Sequence, residues 1–100
     1  MGSLNAFSPI PASTVSLSVT ATSSNSAITQ GYQVRLTNLG TNKCYVRTGT
    51  SGVTALTTDM PVLANNPVTI SINPEHTHIA AICDATETCT LKVTTGSGGI

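Results

Sequence analysis

A chain of 100 residues has room for one core and not for two, and its folding buries roughly over half of the surface that the unfolded chain exposes. With 8% charged residues, a formal net charge of zero and no run of Lys or Arg, it offers nothing that collects phosphates by counterion release, which argues against nucleic acid as a partner. No segment approaches the length of a bilayer span and no basic residue precedes a long apolar stretch at the start, so the expectation is synthesis in a cytoplasm without export or membrane insertion.

Thr, Ser and Asn stand where a soluble surface usually carries Lys and Glu. Such a surface is poorly protected by charge repulsion against self-association, and β-branched Thr favours extended backbone over helix. In chain order, residues 1–13 read as an extended arm containing Ser8-Pro9-Ile10-Pro11. Residues 14–21 place Val15, Leu17, Val19 and Ala21 at every second position, the pattern of a half-buried strand. Ser23-Ser24-Asn25-Ser26 breaks that pattern, and residues 33–39 resume it with Val34 and Leu36 on one face. Asn38 to Asn42 is a turn by composition, and residues 43–47 read as the return strand of a hairpin with Cys44 and Val46 inward, closed by Gly49-Thr50-Ser51-Gly52. A short strand is expected at 53–56.

Residues 58–67 hold Pro61, Pro67 and the turn pair Asn65-Asn66, and read mostly as a connecting loop. Alternation returns at Val68, Ile70 and Ile72 until Pro74 ends it. Segments 77–83 and 89–95 flank the polar stretch 84–88 as a hairpin, and residues 96–100 read as a flexible Gly-rich tail. The expectation is an all-β chain: a small antiparallel β-sandwich, jelly-roll-like, or a barrel, spanning 14–95 with extended terminal arms.

In the last hairpin, Cys83 opposite Cys89 would place Ala81 against Leu91 and Ile79 against Val93, all on one apolar face. That register makes Cys83 and Cys89 candidates for a cross-strand disulfide. Against it stand a reducing cytoplasm, the strict distances of a bridge and the frequency of cysteine as a small core residue; Cys44 is most simply core. His76 and His78 form a His-x-His beside Glu75 that would share a strand face, but a third metal ligand is not evident, so they read as polar residues leading into a strand and no metal or cofactor is expected. Of the acids, Asp84 and Glu87 belong to one solvated loop, Asp59 and Glu75 stand apart, and neither a nucleophile elbow nor a phosphate loop is present. No catalytic residues are assigned, and the chain is read as non-enzymatic. With Phe7, Tyr32 and Tyr45 as its only aromatics, it has few platforms for sugar rings. For partner contacts the apolar residues that their own strands do not obviously bury are Leu4, Phe7 and Ile10 in the arm and Met60, Val62 and Leu63 in the central loop.

Two halves of the sequence look familiar as a set: Gly31-Tyr32-Gln33-Val34-Arg35-Leu36-Thr37-Asn38-Leu39-Gly40 followed by Cys44-Tyr45-Val46-Arg47-Thr48-Gly49, then Asp59-Met60-Pro61-Val62-Leu63, the Ile70 to Pro74 strand end, His78-Ile79-Ala80-Ala81-Ile82 and Thr90-Leu91-Lys92-Val93-Thr94 with a Gly-rich terminus. Covering most of residues 31–99, these resemble small virion proteins encoded by tailed bacteriophages. The resemblance implies a structural protein of the virion, made in the host bacterial cytoplasm, that binds the outer capsid surface as a cement or decoration protein. It would act as a homo-oligomer against the major capsid protein or other virion subunits. A tail or head-fibre component is the alternative, and a carbohydrate-binding or adhesive β-domain a second one. The resemblance lends no catalytic residues and gives the cysteines no role.

Overall fold

The alternating apolar residues fold so that their inward faces meet between two sheets. The computed structural model describes residues 7–98, and these form nine strands: β1 (Phe7–Pro9), β2 (Val15–Val19), β3 (Ser24–Ala27), β4 (Gln33–Asn38), β5 (Cys44–Gly49), β6 (Met60–Val62), β7 (Val68–Ser71), β8 (His78–Cys83) and β9 (Cys89–Gly98). One sheet runs β1-β9-β4-β7, with β2 also paired to β9; the other runs β3-β8-β5-β6. Every pairing is antiparallel. Because β1 and β2 pair with successive stretches of β9, Gly96 to Gly98 and Cys89 to Val93, they occupy one edge position and each sheet is four strands wide. From β2 onward the chain changes sheets at every connection except β5 to β6. That is the strand order of a jelly roll, the sandwich form of the expected all-β fold.

The order corrects two hairpins read from the sequence. β4 and β5 lie in different sheets, and so do β8 and β9. Cys83 therefore pairs with Cys44, not Cys89, while Leu91 sits between Leu17 and Asn38, and Val93 between Val15 and Leu36. Ile79, Ala81, Leu91 and Val93 are all fully buried, but they face one another across the core instead of side by side. Alternation could not distinguish the cases, since a period of two turns the same residues inward whether the next strand folds back or crosses over.

Other differences have local causes. β3 is built from Ser24, Asn25, Ser26 and Ala27 and has no apolar signal; it is held by backbone pairing to β8 at an edge. β6 lies inside the expected loop and contains Pro61, tolerable because an edge strand needs ladder bonds on one side only. No strand forms at 53–56, where the chain is tied to β3 and its approach by side chains, Asn25 Nδ2 to the Val53 carbonyl at 3.2 Å and the Ala55 amide to Ser23 Oγ at 2.9 Å. The described part of the N-terminal arm does not project: β1 pairs with Gly96 to Gly98, so part of the expected flexible tail is strand. Between β1 and β2 the backbone breaks at Ala12 (φ 61°), and the buried Ser13 patches the ladder, its Oγ donating to the Thr95 carbonyl (3.0 Å) and accepting from the Thr95 amide (3.2 Å).

The polar side chain of Asn38 is completely buried at the end of β4. Its Nδ2 donates to the Asn42 carbonyl (2.8 Å) and the Val62 carbonyl (3.2 Å), its Oδ1 accepts from the Gly40 amide (2.9 Å), and its own carbonyl accepts from the Asn65 amide (3.0 Å). One residue thus fixes the β4–β5 crossing and ties it to β6 and the loop beyond. Asn38→Asp keeps the shape but turns a donor into an acceptor facing two carbonyls. The variant should lose about 3 kcal/mol of stability at neutral pH. Its buried carboxyl would titrate above the usual carboxylate range, so the loss should shrink as pH falls towards 4, as urea melts at the two pH values would reveal. A loss under about 0.5 kcal/mol would contradict this role.

Asp59 fastens the approach to β6. Its Oδ2 accepts from the Leu56 amide at 2.7 Å, and its Oδ1 from Arg47 Nε (3.0 Å) and Nη2 (2.9 Å). Burial of the carboxylate acts to raise its pKa, but the Leu56 amide and the Arg47 guanidinium outweigh that and hold it below the ordinary value. A depressed native pKa contributes stability above the unfolded pKa, about 3.9, that disappears as pH falls through the native value. Wild-type Tm should therefore fall more steeply than that of Asp59→Asn between pH 5 and pH 2.5; parallel curves would refute it.

Candidate functional site

The crossings gather three connections at one end of the sandwich. An open groove of about 510 Å³ is lined there by Ser18, Val19 and Thr20 from the end of β2, Gly40, Thr41 and Asn42 from the β4–β5 turn, and Thr88, Cys89 and Thr90 at the start of β9. Its walls are hydroxyls, an amide and backbone together with the apolar Val19 and Cys89, and Asn42 Nδ2 donates across to the Thr88 carbonyl at 3.0 Å. Gly40 is required by space: a Cβ there would lie 2.6 Å from the Cys89 Cβ and 2.9 Å from its Cα. On the outer face of this end, Lys43 Nζ pairs with Asp84 Oδ2 at 3.0 Å, a hydrogen bond that raises the lysine pKa, and Tyr45 Oη donates to the same carboxylate at 3.3 Å.

Behind the groove the two sheets bring three free, buried thiols together. Cys44 and Cys83 are register partners in one sheet, and Cys83 Sγ donates to Cys89 Sγ, 3.5 Å away in the other. Cys83 Sγ also approaches the Val19 carbonyl (3.8 Å), and Asn38 Nδ2 approaches Cys44 Sγ (3.9 Å). Burial pushes the thiols of Cys44 and Cys89 up to about 11 and that of Cys83 up to about 12. At neutral pH all three are protonated and weakly nucleophilic.

Leu39 and Leu63, 55% and 53% exposed, stand at this same end, joined through the Asn38 to Asn65 hydrogen bond. Of the contact residues read from the sequence, Met60 (36% exposed) lies at the opposite end of β6, and Val62 is corrected: at 1% exposure it belongs to the core and offers nothing to a partner. Val62 turns inward between exposed Pro61 and Leu63. Ile10 is half-buried and bonded through its amide to the Thr95 carbonyl (2.9 Å); Phe7 lies in β1, paired with Gly98; Leu4 falls outside the described residues. Leu39 is hidden from strand periodicity because it sits in a turn, although an apolar side chain flanked by Asn38 and Gly40 is itself a signal of exposure.

His76 and His78 sit at the far end of the sandwich, with Nδ1 of His76 2.8 Å from Thr48 Oγ1 and Nδ1 of His78 2.8 Å from Thr77 Oγ1. Among the described residues no group of three or more His, Cys, Asp or Glu side chains is arranged to hold a metal ion, the three thiols included, and no carboxylate is hydrogen-bonded to either imidazole. No protein-family model matches the chain, and no curated protein matches its sequence.

Gly40→Ala tests how closely the groove floor is packed. The added methyl must displace backbone at Cys89, so stability should fall by about 1–3 kcal/mol in denaturant melts. A neutral effect would mean that the β4–β5 turn yields freely.

Proposed function

We propose that the chain is a non-enzymatic structural protein of a tailed-bacteriophage virion, binding the outer capsid surface as a cement or decoration protein that stabilises the shell. The observation that carries this reading is the pair of exposed leucines, Leu39 and Leu63, at one end of a jelly roll whose surface is neutral and rich in Ser, Thr and Asn; the other exposed large apolar residues described, Tyr32, Leu56 and Met60, stand towards the opposite end. Isolated exposed leucines are ordinary, but two on neighbouring connections, each held by hydrogen bonds to Asn38 or its neighbours, present a rigid apolar anchor with a polar rim. An interface of that kind needs shape and hydrogen bonds more than charge. The sequence resemblance to small phage virion proteins supplies the partner, and repeated copies on a symmetric shell would multiply a modest single contact.

A stoichiometric mass-spectrometric inventory of purified particles is the direct test. A copy number comparable with that of the major capsid protein is expected; a few copies per particle would move the chain to the tail or a fibre, and absence would overturn the proposal. Leu39→Asp combined with Leu63→Asp should leave the free domain's stability within about 0.5 kcal/mol, since neither side chain is core, while lowering incorporation into particles by about tenfold or more. Undiminished incorporation would remove these residues from the interface.

A further inference from the structure

We propose that Cys83 and Cys89 are an oxidisable dithiol, a site that takes up a disulfide from an external low-molecular-weight disulfide and thereby staples one sheet of the jelly roll to the other. The two sulfurs are already in contact at 3.5 Å, so forming the bond closes an existing contact between the sheets. Only Cys89 lines the open groove, at 8% exposure, whereas Cys83 and Cys44 are at 1% or less. That difference assigns the order of events. After losing its proton to water, the Cys89 thiolate attacks one sulfur of the reagent R–S–S–R and expels the first R–S⁻. The Cys83 thiolate then attacks Cys89 Sγ and expels the second. Two protein S–H bonds become one S–S bond, the reagent is reduced to two R–SH, and the two protons end on those thiols.

Cys44 does not take part. Its thiol also neighbours that of Cys89, but it is the register partner of Cys83 within one sheet, its sulfur is approached by the Asn38 amide, and it does not line the groove; the 3.5 Å contact of Cys89 is with Cys83. The raised pKa values of all three thiols, caused first by burial, keep the reduced form inert in a reducing cytoplasm and make the exchange slow, so the staple belongs to a particle that has left the cell. The site itself does not depend on the capsid reading and is tested without it.

The experiment uses the full-length wild-type chain with oxidised glutathione as the probe, under native buffer and, in parallel, in denaturant. Trypsin separates the cysteines usefully: cleavage after Lys43, Arg47 and Lys92 leaves Cys44 in a four-residue peptide and both Cys83 and Cys89 in the peptide that begins at Thr48. The expected product from native protein has one remaining thiol, found on the short peptide, and a longer peptide two mass units lighter, with Tm raised by on the order of 10 °C for so short a closed loop. Cys44→Ala should oxidise at the wild-type rate. A bridge joining the two peptides, three thiols surviving in native buffer while the denatured chain oxidises, or a stable glutathione adduct on Cys89 without closure would each overturn the proposal.

Discussion

At the end of β4, one buried amide reaches the β4–β5 turn, β6 and the loop that follows, and the architecture beyond depends on those bonds. A jelly roll asks its chain to leave one sheet and enter the other at nearly every connection, which exposes backbone groups at each crossing to burial without a ladder partner. Asn38 meets that need at the β4–β5 crossing with donors and acceptor all used. Ser13 does the equivalent at the β1–β2 break by standing in for a missing strand residue opposite Thr95. Both act where apolar packing has no means of choosing a path, so they fix topology, while Leu36, Ile79 and Leu91, all fully buried, supply the hydrophobic stabilisation that any inward-facing alternation would give.

The division between those roles explains what was legible in the sequence. Val15, Leu17 and Val19, then Val34 and Leu36, then Val68, Ile70 and Ile72 announce their strands and their inward faces, because a period of two is a property of the strand alone. Which sheet a strand joins is a property of its neighbours. Nothing between Asn38 and Cys44, or between Cys83 and Cys89, distinguishes a hairpin from a crossing by composition. β3 was invisible for a further reason: its Ser-Asn-Ser-Ala backbone is recruited by β8 and buries little of its own. Among site residues, the sequence pairs the cysteines but does not show their geometry across two sheets, Pro61 disguises Val62 as a loop residue, and the groove is assembled from three connections far apart in the chain.

Placing the groove, the thiols and the exposed leucines together at one end has a common origin. β2, β4 and β6 end there, and β5 and β9 begin there, so this end collects the crossings that demand small or polar residues in tight quarters. Gly40 lies against Cys89 because the β4–β5 turn must pass directly over the start of β9, and cysteine is small enough to fill the space beneath it. Replacing it by a larger apolar residue would collide with the turn, and replacing it by a serine would bury a hydroxyl among sulfurs. The thiol cluster is thus first a packing solution, and its chemistry follows from three small residues meeting at one place.

The free edges of the two sheets sharpen the question of how such a domain would associate. β6 is three residues long and carries Pro61, β3 has four small or polar residues, β7 also has four, and the β1/β2 edge is broken at Ala12. Each edge is short or interrupted, the usual means by which sandwiches avoid uncontrolled strand addition. A surface with almost no charge has little other protection, so these interruptions carry more of the burden here than in a charged domain. Strand pairing between copies would need an uninterrupted edge that the described residues do not offer. Association under the proposed function therefore falls to the rigid loops at the groove end, where Leu39 and Leu63 are held outward by a hydrogen-bonded base that binding need not reorganise.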